Sequence, residues 1–248
     1  MANLPRVTIL SGAGLSAPSG IPTFRDNNGL WENFRVEELA TPEAWRADQD
    51  RVTRFYDWRR ANTRACQPNE AHKALERLQA AWGPDRVTHV TQNVDGMMAR
   101  LSAPALEMHG SNERLRCGRD ARHPCVPAPL GSSAACACAA CGAALRPDVV
   151  WFGETPRHLE AIDAAVACAD LFVSVGTSGT VYPAAGLVHR ARECGVRTLE
   201  VNPKPTPGGN FDAVLSGSAD VVLPRLVRRW LETGTLAVDL EDEQHGDA

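Results

Sequence analysis

The chain has 248 residues, is 44% hydrophobic and carries a net charge of −4. That length buries a sizeable core, and one large domain with a smaller one inserted is the expected plan. The acid excess without a basic tract argues against nucleic acid as a partner. No run of about 18 apolar residues exists, so no membrane span or membrane partner is expected. The first apolar run begins within a few residues of Met1, which leaves no room for a signal or transit peptide and makes the cytoplasm the expected location. In a reducing compartment the eight Cys are thiols or metal ligands rather than disulfides.

Residues 7–10 (VTIL) form an apolar β-type run. Gly12-Ala13-Gly14-Leu15-Ser16-Ala17 follows. Two glycines let the backbone turn sharply and approach a phosphate, and amides at a following helix start would favour the anion. The first expectation is therefore a dinucleotide site. Pro18 and Pro22 prevent a long helix, so a loop carrying Phe24 and Arg25 is expected over the nucleotide.

Residues 33–68 read as a helical insert rich in Trp, Arg and Glu. Within it Tyr56 and Arg59 are three apart and share a helix face. A phenol beside a guanidinium suits a carboxylate, which Arg grips through two hydrogen bonds. The competing expectation is a solvated face, since Arg54, Arg59, Arg60 and Arg64 crowd here.

Helix-like stretches at 71–81, 159–169 and 184–194 alternate with apolar runs at 87–91, 171–175, 198–201 and 221–223. This alternation predicts an α/β fold: a Rossmann-like parallel sheet with helices on both faces. Ligands of such sheets bind at the carboxyl ends of strands. Gly12–Ser16, Gln92-Asn93-Val94-Asp95, Gly176-Thr177-Ser178 and Asn202 all stand at such ends and are expected to converge on one crevice.

Residues 116–144 are Cys- and Ala-rich without a clear period. Cys138-Ala-Ala-Cys141-Gly142 is a metal knuckle, and four such ligands would bind structural Zn2+ and order a segment too poor in core to fold alone. Cys117 has no partner two to four residues on. Cys125 is the best fourth ligand, with Asp120, His123 and Cys136 as fallbacks. The expected domains are 1–32, 69–115 and 145–234 for the nucleotide-binding part. Residues 33–68 and 116–144 form the smaller zinc-binding and helical module, and 235–248 an acidic, disordered tail.

Taken together, GAGLSAPSGIPTFR, TQNVD (91–95), MHGS (108–111), the Cys knuckle, RPDVVWFGE (146–154), GTSGTVYPAAGL (176–187) and Asn202 resemble the sirtuin family over about residues 6–232. Sirtuins are NAD-dependent protein-lysine deacylases. The resemblance implies NAD as co-substrate, acyl-lysine proteins as substrates, and a structural zinc. It implies His109 as the catalytic base for a ribose hydroxyl. It places Gly12, Ala13, Gly14, Ser16, Ala17, Pro22, Thr23, Phe24, Arg25, Trp31, Gln92, Asn93, Asp95, Gly176, Thr177, Ser178, Asn202, Pro203, Lys204 and Ala219 against NAD, with Asn93 and Asp95 at the nicotinamide. Val150, Trp151, Phe152 and Gly153 match the segment that pairs with an extended substrate peptide.

Tyr56 and Arg59 resemble the Tyr-x-x-Arg signature of the class that removes succinyl and malonyl groups; acetyl groups are not excluded. Met98 is a departure, because many relatives have His there. The same crevice could serve ADP-ribosyl transfer to protein or NAD hydrolysis, neither of which needs Tyr56 and Arg59. A non-enzymatic NAD-sensing zinc module is a further alternative, but a sensor needs no base.

Overall fold

The computed structural model describes residues 4–22, 30–31, 34–134, 136–208 and 210–238. Thr23, Phe24 and Arg25, the side chain of Trp31 and residues 239–248 of the expected tail lie outside them. In chain order the strands are β1 (Val7–Ser11), β2 (Leu30–Trp31), β3 (Phe34–Arg35), β4 (Val87–Thr91), β5 (Leu106–Glu107), β6 (Gly110–Cys117), β7 (Val126–Pro127), β8 (Leu145–Val149), β9 (Leu171–Val175), β10 (Arg197–Asn202) and β11 (Ala213–Ser216). The α-helices are α1 (Val36–Leu39), α2 (Pro42–Ala47), α3 (Gln49–Ala65), α4 (Glu70–Trp82), α5 (Leu159–Ala167), α6 (Leu187–Glu193) and α7 (Ala219–Thr233).

Six strands form one parallel sheet in the order β11-β10-β9-β1-β4-β5. The chain builds outward from β1 through β4 to β5, then returns to the other side of β1 for β9, β10 and β11. The order reverses between β1 and β9, and such a switch point opens a crevice at the carboxyl ends of the strands.

Alternation along β1 assigns the two faces. Val7 and Ile9 join α4 and α7 through Leu75, Leu78, Leu223 and Trp230. Leu10 points the other way and joins α5 and α6 through Ile162, Val166, Val188 and Ala191. Helices thus cover both faces, which is why β9 is buried along its whole length. Fully burying one such Leu or Val contributes about 1.5–3 kcal/mol.

Helix starts follow local chemistry. Thr41 caps α2 with Pro42 at its first position, and Asp48 caps α3. Asn69 caps α4 by accepting from Ala71 N at 2.9 Å, while His72 Nδ1 accepts back from Asn69 N at 3.2 Å. That is a capping box with His in the place usual for Glu.

Two expectations need correction. Residues 221–223 are not a strand: they belong to α7, and the sheet ends instead at β11. Val222, Leu223, Leu226, Val227 and Trp230 are all buried, a helical spacing that a three-residue window hides. The turn after β1 does not open an α-helix either. It makes two short 3-10 turns, Ala13–Leu15 and Ala17–Ser19, which meet at Ser16; Pro18 lies within the second, and Gly20 at φ 88° ends it. The amides of Gly12, Gly14, Leu15, Ser16, Ser19 and Gly20 all bond to backbone carbonyls, so no helix N-terminus is presented here. In the stretch expected as a helix at 184–194, a 3-10 turn (Ala184–Gly186) precedes α6.

A second, antiparallel sheet of order β7-β6-β8 forms beside α1–α3. Its β6–β8 pair runs Gly110↔Val149 to Cys117↔Leu145, across the expected boundaries near 116 and 145. Val149 and Trp151 pack with Trp45, Val52, Phe55 and Tyr56. Among the described residues no helix is long and apolar enough to cross a membrane.

Candidate functional site

The four polar strand ends meet, and the backbone itself joins them. Gly12 N donates to Val175 O at 2.9 Å, Gly14 N to Gly176 O at 2.9 Å, Gly176 N to Val201 O at 2.9 Å and Gln92 N to Ser11 O at 3.0 Å. Side chains add Asn93 Nδ2 to Gly12 O at 3.0 Å and Asn202 Nδ2 to Thr177 O at 2.9 Å. Glycine is needed because these turns touch. A Cβ on Gly14 would lie 2.6 Å from Gly176 Cα, and one on Gly176, at φ 58°, would lie 2.5 Å from Gly14 Cα.

Ser16 is the node of a buried polar network. His72 Nδ1 is occupied as an acceptor, so its Nε2 carries the proton and donates to Ser16 Oγ at 3.2 Å. Asn93 Nδ2 also donates to Ser16 Oγ, at 3.2 Å, and Ser16 donates to Asp95 Oδ2 at 2.7 Å. Asp95 Oδ1 accepts from Met97 N at 2.9 Å. Both amide hydrogens of Asn93 are thereby committed to the protein, leaving Oδ1 to offer a ligand. Burial pulls the His72 pKa down, against the pull of Asp95. Beneath lies His89, whose Nε2 is 2.8 Å from Ser11 Oγ; burial and the nearby His72 push its pKa down to about 3. Met98 is buried in the core beside α4.

His109 is half-buried at the end of β5. Its Nδ1 is 3.1 Å from Gln92 O. A carbonyl only accepts, so Nδ1 bears the proton and Nε2 bears the lone pair. Burial lowers the pKa of His109, against the Gln92 hydrogen bond, which raises it. Gly110 follows at φ 75°, and a Cβ there would lie 2.1 Å from Asp148 O. Val150 N donates to His109 O at 2.9 Å. Val150 therefore continues β8, which is an edge strand of the small sheet and can accept an added strand. Trp151 is buried, Phe152 is exposed, and Gly153 sits at φ 87°. Glu154 holds this turn by accepting from Trp151 N at 2.8 Å and pairing with Arg146.

Tyr56 and Arg59 do share a face of α3, turned inward. Tyr56 Oη accepts from Trp151 Nε1 at 2.9 Å, and burial raises its pKa, so the phenol keeps its proton. Burial lowers the Arg59 pKa, while Tyr56 and Asp95 stand close enough to oppose this. Arg59 thus lies within electrostatic reach of both Tyr56 and Asp95. Of the four arginines of the expected solvated face Arg54 is exposed, but Arg60 is buried with Asp57 and Asn112, and Arg64 pairs with Glu113 at 2.7 Å.

Of the remaining expected cofactor residues, Ala13 and Ala17 lie on the 3-10 turns and Ala219 opens α7. Ser178 Oγ lies 2.7 Å from Thr180 Oγ1. Pro22, Pro203 and Lys204 are exposed. The sequence reading missed His72 and Asn69. An Asn with His three residues on, opening an amphipathic stretch, was the available signal.

The cysteine module gathers Cys117, His123, Cys138 and Cys141, one ligand atom from each lying within 4.8 Å of the others. Cys117 Sγ is 3.5 Å from Cys141 Sγ, and Cys138 Sγ is 3.4 Å from His123 Nδ1. A tetrahedral Zn2+ with bonds of about 2.3 Å to S and about 2.0 Å to N has edges of about 3.5–3.8 Å, so the donor set fits. Arg119 N and Asp120 N both donate to Cys117 Sγ at 3.4 Å. Cys125, expected as the fourth ligand, stands outside this group, beside Asp148, Arg157 and Arg114. The turn of Asp120–His123, closed by His123 N to Asp120 O at 3.2 Å, brings in His123 instead.

Comparison with known proteins identifies the family. Residues 12–183 match the Sir2 family model. The NAD-dependent protein deacylase of Escherichia coli K12 is 44% identical over 232 residues, 92% of this chain and 83% of that protein. The NAD-dependent protein deacylase of Vibrio cholerae is 44% identical over 229 residues, covering 91% and 93%. A Sir2 homologue solved as an NAD complex superposes with a TM-score of 0.85 at 35% identity, covering 94% of this chain and 92% of that one. A mutant Sir2 homologue bound to 2′-O-acetyl-ADP-ribose gives a TM-score of 0.85 at 36% identity, covering 96% of each chain. The chain belongs to the Sir2 family.

Proposed function

We propose that the protein is an NAD-dependent protein-lysine deacylase that removes succinyl and malonyl groups, accepts acetyl groups, and releases nicotinamide and O-acyl-ADP-ribose. The observation that carries this reading is His109, neutral and presenting Nε2 beside the strand-end crevice, with its own backbone carbonyl bonded to the substrate-binding segment at Val150. NAD, when bound, supplies an activated ribose carbon to the acyl oxygen. His109 Nε2 removes a proton from a ribose hydroxyl. Asn93 Oδ1 and Asp95 hold the carboxamide end, and Thr177, Ser178, Asn202 and Lys204 the adenosine end. The extended substrate adds to the edge at Val150–Gly153.

Acyl choice rests on Tyr56 and Arg59. A charged hydrogen bond contributes about 1.5–3 kcal/mol net, enough to favour an acidic acyl group by about one to two orders of magnitude. Zn2+ held by Cys117, His123, Cys138 and Cys141 has a structural role, since its four protein ligands leave no open position. The deciding experiment is a panel of acetyl-, succinyl- and malonyl-lysine peptides with NAD, read by mass spectrometry. O-acyl-ADP-ribose is the expected product. Free or protein-bound ADP-ribose without deacylated peptide would refute the reading.

A further inference from the structure

Glu200 is a buried acid that neither the core nor the chemistry above accounts for. It lies within β10, 1% exposed, in a strand whose neighbours Leu199 and Val201 belong to the apolar core. A central parallel strand that needed only filling would carry Val or Ile, since a buried carboxylate must recover its lost hydration from the protein. Glu200 does so with neutral donors. Oε1 accepts from Asn202 Nδ2 at 3.1 Å and from Thr206 Oγ1 at 2.5 Å, and Thr206 N is 3.0 Å from each carboxylate oxygen.

We propose that Glu200 is a positioning residue for the adenosine half of the dinucleotide, orienting Asn202 and fastening segment 203–208 over the strand ends. The proposal rests on reading the crevice as an NAD site. Asn202 has two amide hydrogens. One goes to Thr177 O and the other to Glu200, which fixes the side chain's flip and leaves Oδ1 as the acceptor for a sugar hydroxyl. In segment 203–208 Pro203, Lys204, Pro205, Pro207 and Gly208 are exposed, and Thr206 alone turns inward. Burial therefore does little to hold Pro203 and Lys204 in place; the Thr206–Glu200 bonds do. Thr206 also seats on the Gly176–Gly179 turn, where a Cβ on Gly179 would lie 2.3 Å from Thr206 Cγ2. One carboxylate thus ties two ligand-facing loops together, and a site held this way binds without first ordering its own segments.

The test uses the full chain with Glu200→Gln and Thr206→Val, titrated calorimetrically with ADP-ribose and NAD, beside thermal melting and deacylation kinetics. Glu200→Gln keeps the shape but turns an amide donor toward Asn202 or Thr206. Its Kd for both ligands is expected to rise about tenfold, the worth of one charged hydrogen bond, while kcat at saturating NAD stays within about threefold. Thr206→Val is expected to raise both Kd values about threefold. A merely structural role would lower the melting temperature and leave the affinity of the folded variants unchanged, and that result overturns the proposal. If Glu200→Gln does not fold, Thr206→Val decides on the same criterion. Wild-type protein that binds neither ligand refutes the cofactor reading itself; normal wild-type binding with unaffected variants removes the positioning role alone.

Discussion

His109 Nδ1 and the carbonyl oxygen of Gln92 lie 3.1 Å apart, and this one hydrogen bond fixes which imidazole nitrogen is basic. Gln92 is the first residue past β4, and His109 the second past β5, so two parallel strand ends set the tautomer. His109→Ala is expected to abolish acyl transfer while ADP-ribose binding stays within a few-fold, because no residue of the adenosine end is touched. Product release by mass spectrometry and calorimetric binding check the two halves. Wild-type turnover by the variant would remove His109 from the mechanism.

The same residue sets the pH profile. On the proposed mechanism the neutral imidazole is the active form, and burial holds its pKa below the ordinary 6.5. Activity is therefore expected to persist as pH falls past 6.5 and to be lost only below it. A kcat/KM profile whose acid limb has its midpoint above 6.5 would contradict the burial argument.

Arg59→Met keeps much of the side-chain volume and deletes the guanidinium. Desuccinylation is expected to fall about 10- to 100-fold in kcat/KM, with deacetylation changed by less than about threefold. Equal losses on both peptides would mean that Arg59 supports the crevice through Asp95 rather than reading the acyl group.

Metal content separates the two ligand sets. His123→Ala and Cys138→Ser are expected to lose bound zinc and to melt at lower temperature, since each removes a corner of the tetrahedron. Cys125→Ser is expected to keep one equivalent. Elemental analysis of the purified variants measures this directly, and zinc loss in Cys125→Ser alone would restore the sequence-based assignment.

Asp148 lies on β8, just before the proposed substrate segment. It is buried and pairs with Arg157 and with Arg114, the latter at 3.1 Å. Burial raises its pKa, but the hydrogen bonds and charges of Arg157 and Arg114 outweigh that and leave it lowered. A carboxyl with a depressed folded pKa contributes stability above its unfolded pKa and loses it as pH falls through the folded value. Asp148→Asn is accordingly expected to destabilise the protein by about 1–3 kcal/mol at neutral pH, because Arg157 loses its anion while the partly exposed Arg114 keeps Glu107. The difference from wild type should shrink below pH 4 in denaturant titrations, the ordinary Asp value being 3.8. A deficit that stays constant across pH would assign the loss to packing.

The sequence alone determined the alternating fold, the four polar strand ends, the metal knuckle at Cys138 and Cys141, and the Tyr56–Arg59 pair. Each of these is local: a period of two or 3.6, a turn residue, or a fixed spacing on one helix face. What the tertiary structure decided depends on distant segments meeting. His123 rather than Cys125 joins the candidate metal cluster because a short turn carries it back toward the knuckle. Residues 221–223 are helical because their apolar partners repeat as far as Trp230 and pack on α4. Gly14 and Gly176 are glycines for each other's backbone, a reason invisible from either segment. The tautomers of His72 and His109 follow from Asn69 N and Gln92 O, and the role of Glu200 from Thr206. Hydrogen-bond direction belongs to a pair, and only folding brings the pair together.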